Sequence, residues 1–90
     1  MNALQARILD VPAPAQVWTY TDLTETAEKQ IERLLEIAAE KQRQGDPLLA
    51  KIYRDFAQSS FVLWKTLTRG RFDDSDHDRI EKMMARRTLP

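Results

Sequence analysis

Four aspartates and the chain's only histidine fall within the run Asp73-Asp74-Ser75-Asp76-His77-Asp78, the densest gathering of groups able to hold a metal or move a proton. Asp74, Asp76 and Asp78 match the first three acidic positions of an EF-hand calcium loop. The position that needs glycine for the sharp turn is Arg79, however, and the one that needs a bidentate glutamate is Ala85. Both departures remove geometry the ion requires, so no metal is expected. Acids that open a helix account for the run, because they face its positive end. His77 has Asp73 and Glu81 four residues to either side, so a carboxylate could orient its ring on a helix. A lone histidine among exposed acids nevertheless reads as a surface residue rather than a base.

The other candidate chemistries fail on residue type. Ser59-Ser60 has no His or Lys at the spacing that activates a nucleophile. The two glycines, Gly45 and Gly70, each suit a helix end, which leaves no glycine loop to cradle a phosphate. The absence of cysteine removes disulfides, thiolate metal sites and cysteine nucleophiles together, and fits a reducing cytoplasm. Neither an enzyme nor a cofactor is expected.

Charge offers a different possibility. Lys plus Arg and Asp plus Glu both total 14, so the chain has no overall pull toward nucleic acid. Bases cluster locally, with Lys65, Arg69 and Arg71 late in the central segment and Lys82, Arg86 and Arg87 near the C-terminus. If they converged they would form a patch for a few phosphates, the alternative reading of a nucleic-acid-binding accessory protein. The four acids of residues 73–78 stand between the two groups. Bases near helix C-termini are also ordinary dipole partners.

These residues are positioned by a predominantly helical chain. Asp46 and Pro47 form a strong helix start: an aspartate cap followed by a proline whose missing N–H had no partner there. Gly45 suits the left-handed residue that closes a preceding helix. From there Leu49, Ile52, Tyr53, Phe56, Ser60, Leu63, Trp64 and Leu67 recur at spacings of three and four, which predicts a helix over 46–69 with this stripe inward. Phe61 and Val62 lie off the stripe, so Phe61-Val62-Leu63-Trp64 is apolar on nearly every side and invites a partner.

A first helix is expected over 22–44. Asp22 and Glu25 have the spacing of a capping box, Thr21 and Thr24 are competing caps, and Leu23, Ala27, Ile31, Leu34, Leu35 and Ala38 make its apolar face. Two helices of similar length joined by so short a turn must fold back as an antiparallel hairpin, with small Ala27 and Ala38 opposite bulky rings. A shorter helix is expected over 74–87, with Ile80, Met83 and Met84 inward and Phe72 pinning its entry.

Residues 1–21 read as an arm and lead-in. Asn2–Leu9 forms two turns of helix at most, Val11–Ala15 is stiffened by two prolines, and Gln16–Thr21 is extended, with Trp18 and Tyr20 covering the bundle end. Arg7 and Asp10 interrupt any leader-like apolar core, and no run approaches the roughly 20 apolar residues that span a bilayer.

The expectation is a single all-α domain over 1–90: a long helical hairpin, a third helix and an N-terminal arm, cytoplasmic and paired as a homodimer. Its role would be protein binding, as an adaptor or regulator, through Trp18, Tyr20, Phe61, Val62, Trp64, Met83 and Met84. Small domains bury a modest share of their surface and often lean on a second subunit.

Overall fold

A computed structural model describes residues 18–88, and all their regular structure is helical. Helix α1 spans Tyr20–Arg43, α2 spans Pro47–Leu67 and α3 spans Asp74–Thr88. The all-α reading holds. What was expected of residues 1–17, Leu89 and Pro90 lies outside the described residues.

The α1–α2 turn is built as the sequence implies. Gly45 adopts a φ of +79°, its N–H donates to the Gln42 carbonyl, and the Asp46 N–H donates to that of Lys41. These two bonds make a Schellman closure that satisfies carbonyls α1 would otherwise leave bare. The Asp46 carboxylate then accepts from the Leu49 N–H at 3.0 Å, capping α2 directly behind Pro47. One helix ends and the next begins within three residues, so the pair runs antiparallel. Trp64 and Thr24, 40 residues apart, meet across it.

The end of α2 repeats the motif with a costlier residue. Arg69 N–H donates to Thr66 and Gly70 N–H to Lys65, which puts Arg69, not Gly70, at the left-handed closing position with a φ of +55°. The helix therefore stops at Leu67 rather than 69. A side chain in that region carries strain of about 1 kcal/mol.

Helix α1 begins earlier than expected. Thr19 is its cap: the Thr19 hydroxyl accepts from the Asp22 N–H at 3.0 Å, and the Asp22 carboxylate accepts from the Thr19 N–H at 3.3 Å. Asp22 thus holds the third position of the capping box instead of the first. Tyr20 is already helical and half-buried, whereas Trp18 before the cap is 59 % exposed.

Helix α3 lies along one side of the hairpin, parallel to α1. Asp76 meets Tyr20, Arg79 meets Glu28, and Arg87 approaches Glu32 and Glu36. The core between the helices holds Ile31, Leu34 and Leu35 of α1, Ala57, Phe61 and Trp64 of α2, and Ile80 and Met84 of α3.

The buried stripe of α2 is only partly the one expected: Trp64 is buried and Tyr53 packs against the core, but the rest of the stripe is rotated. Ala50, Ala57, Phe61 and Trp64 face inward, while Ile52, Phe56, Leu63 and Leu67 are 38 to 56 % exposed. The partner helix explains the rotation. Helix α1 presents bulky Ile31, Leu34 and Leu35 to the core, and close packing sets small Ala57 among them. Both helices therefore mix sizes: α1 also buries Ala38, as expected, and α2 buries Phe61 and Trp64 beside its alanines.

Candidate functional site

Among the described residues, the hairpin has one side covered by α3 and one side without a helix on it. On the covered side, aromatic rings gather where α2 ends and α3 begins. Phe61 stacks on Trp64 with centroids 6.0 Å apart, Trp64 meets Phe72 at 5.2 Å, and Phe72 stacks on His77 at 5.1 Å. The Trp64 indole N–H donates to the buried Thr24 hydroxyl at 2.9 Å, so the largest side chain of the core is also held in direction.

A chain of polar bonds ties α3 to α1. Arg79 donates to both oxygens of Glu28, at 3.1 and 2.8 Å, and to Asp76 at 2.7 Å. The other Asp76 oxygen accepts from the Tyr20 hydroxyl at 2.7 Å, and that hydroxyl accepts from the Asp73 N–H at 2.9 Å. Burial, then the bond to Asp76, pushes the Tyr20 hydroxyl above its ordinary value. The same bond, followed by Arg79, holds the Asp76 carboxyl below the usual carboxylate range. Glu28 and Asp76 in turn raise the Arg79 guanidinium, fixing its charge.

These contacts settle where the acidic run points. Asp73 caps α3: its carboxylate accepts from the Ser75 N–H at 2.8 Å, and the Ser75 bonds hold it below its usual range. Asp76 is committed to Tyr20 and Arg79. His77 lies against the Phe61 and Phe72 rings, with Asp78 at 3.4 Å and Glu81 at 3.8 Å from its nitrogens. Among the described residues, no three His, Cys, Asp or Glu side chains gather as a metal site.

The uncovered side is chemically different. A groove of about 280 Å³ runs between α1 and α2, lined by Leu23, Thr26, Ala27 and Gln30 on one wall and Ser60, Leu63 and Leu67 on the other, with the edge of the buried Trp64 also reaching it and Trp18 at its end. It continues past Leu34, Phe56 and Ser59. Phe56 is 51 % exposed, Leu63 56 %, Leu67 54 % and neighbouring Val62 47 %. Helical spacing puts Ile52, Phe56, Ser59, Ser60, Leu63 and Leu67 on one face of α2, and none of them is charged. Scattered exposed apolar residues are ordinary, but a contiguous helix-long row is the mark of a docking surface.

The residues expected to bind a partner divide between these environments. Phe61, Trp64 and Met84 are core, at 3, 1 and 8 % exposure, and Met83 packs half-buried against that core. Their company comes from within the chain. Tyr20 is held by Asp76, while Trp18 and Val62 stand at the surface. Ile52, Phe56, Leu63 and Leu67 were read as core, and they form the uncovered row instead. Their freedom from charge and helical spacing are visible in the sequence; which stripe is covered is not.

The basic residues are dispersed in their engagements. The Lys65 ammonium sits 4.5 Å from the Phe61 ring centroid beside α3, and Arg87 reaches Glu32 and Glu36 at 3.8 and 3.9 Å. Arg69 holds the closing turn of α2, Arg71 follows Gly70, and Lys82 and Arg86 are exposed on α3. None of the described helices is long and apolar enough to cross a membrane. The sequence matches no protein-family model, and no match to it was found among curated proteins or solved structures.

Proposed function

We propose that this chain is a small, non-catalytic protein–protein interaction module, an adaptor or regulator working in the cytoplasm, that docks a helix against the uncovered side of its hairpin. The observation that carries the reading is the charge-free row Ile52, Phe56, Leu63 and Leu67 beside an apolar groove. A helix binding there would lay its own apolar face into the groove, with anchors at spacings of three and four. Apolar area removed from water supplies the driving force, at about 25 cal/mol per Å². The groups that would serve catalysis are otherwise occupied: His77 is stacked between rings, and Asp76 is bound to Tyr20 and Arg79.

The test compares wild type with a Phe56→Glu, Leu63→Glu variant, following helicity by circular dichroism and complexes by native mass spectrometry of the chain purified from its own cells. Both proteins should have the same helicity, and the variant should lose the complexes that the wild type carries. A wild type with no association that depends on this face would contradict the reading. So would salt-sensitive nucleic-acid binding abolished by Arg86→Ala with Arg87→Ala, which would favour the basic residues instead.

A further inference from the structure

We infer that the occupant of the uncovered side is a second copy of this chain, its α2 packed antiparallel on the first about a two-fold axis passing between Ser59 and Ser60. The inference rests on the docking reading above and names the partner. In an antiparallel helix pair related by a two-fold axis, residue i of one copy meets residue j of the other, and j meets i. About the Ser59–Ser60 midpoint, Ile52 exchanges with Leu67, Phe56 with Leu63, and Ser59 with Ser60. Every large residue of the exposed row therefore finds a large apolar mate, and the smallest residues fall at the crossing, where the backbones come closest.

The row also has the form that helix packing uses. Ile52, Phe56 and Ser60 lie on one ridge at four-residue spacing; Ser59, Leu63 and Leu67 lie on the next. The two-fold axis exchanges these ridges, so each copy offers the ridge that fills the other's groove. The Ser60 hydroxyl already donates to the Phe56 carbonyl at 3.0 Å, so its polar group enters the contact with its donor satisfied.

Area and charge agree with this occupant. Exposed apolar side chains run the length of the row from Ile52 to Leu67, with Trp18 beyond it, the extended form that a stable interface of roughly 800 Å² per partner requires. The chain's formal net charge is zero, so two copies approach without net repulsion. Helix α3, which lies against the Phe61 and Lys65 side of α2, stays outside the contact. Two hairpins meeting in this way form a four-helix layer flanked by two α3 helices.

Because the chain has no cysteine, one introduced thiol reports only on its own position in another copy. Ser59→Cys should cross-link to itself with a short thiol-reactive reagent. Ile52→Cys and Leu67→Cys should each fail to link alone, yet link when the two are mixed. Leu63→Glu should weaken self-association by more than ~100-fold, since it places an unpaired charge in the contact of each copy. Self-linking of Leu67→Cys would indicate parallel pairing and overturn the proposal, as would a dimer indifferent to Leu63→Glu. A monomeric wild type overturns it too, but the docking reading survives if Leu63→Glu then releases a different bound protein. If it releases none, both fall.

Discussion

The two sides of the hairpin differ in what fixes them. The covered side is specified by direction: the Trp64 indole donates to Thr24, Tyr20 reaches Asp76, and Arg79 forks onto Glu28. Every such bond spans at least 40 residues of sequence; the first ties the two hairpin helices together and the other two hold α3 to α1. The uncovered side has no charged group along its row and only two serines at its centre. Its specificity would have to come from shape and spacing. Apolar burial supplies most of the energy of association, whereas polar bonds select the arrangement. The molecule keeps the selective bonds for contacts among its own helices.

The sharpest way to break that contrast is to damage the covered side. Trp64→Ala removes a side chain that is 1 % exposed and should cost about 3–5 kcal/mol, a large share of a small domain's stability. Urea unfolding would measure it. Thr24→Val keeps the volume but strands the indole N–H, and should cost about 1–3 kcal/mol in the same assay.

Titration examines the same side without removing any atoms. Asp76 is depressed in the fold, so its contribution is present above the unfolded value of about 3.9 and is lost as pH falls through its lower folded value. Tyr20 is raised, so its contribution is complete below about 10 and is lost as pH climbs through the folded value. Stability should therefore decline at both extremes. Asp76→Asn should blunt the acid limb and Tyr20→Phe the alkaline limb in melts recorded across pH.

Smaller still, and of opposite sign, is the closing turn of α2. Arg69 bears a φ of +55° that glycine adopts freely, so Arg69→Gly should stabilise the chain by about 0.5–1 kcal/mol. A thermal melt would detect it as a Tm raised by a few degrees.

How much of this was legible in the sequence follows from the range of each signal. Local signals carried through: Gly45-Asp46-Pro47 marks the turn, and the acids of residues 73–78 open α3. The cap of α1 was displaced by three residues, because Asp22 fits the first position of a capping box as naturally as the third. The pattern places α2 correctly at Trp64 and Tyr53 but not at Ile52, Phe56, Leu63 and Leu67, because that helix has two apolar stripes and periodicity weighs them alike. What decides between them is the bulk of Ile31, Leu34 and Leu35 on another helix, which favours Ala57 among them. The Tyr20–Asp76 and Arg79–Glu28 links left no local trace either, since their partners lie more than 50 residues apart. The uncovered row was therefore visible as apolar residues but not as a surface.

The central claim is that α2 presents this row to a copy of itself. Light scattering through a dilution series, on wild type and Leu63→Glu, measures that most directly. The account predicts that the wild type has twice the 10.5 kDa chain mass and dissociates on dilution. It predicts that Leu63→Glu has the single-chain mass throughout with its helicity unchanged. A wild type at 10.5 kDa at every concentration, or a variant that still pairs, would contradict it.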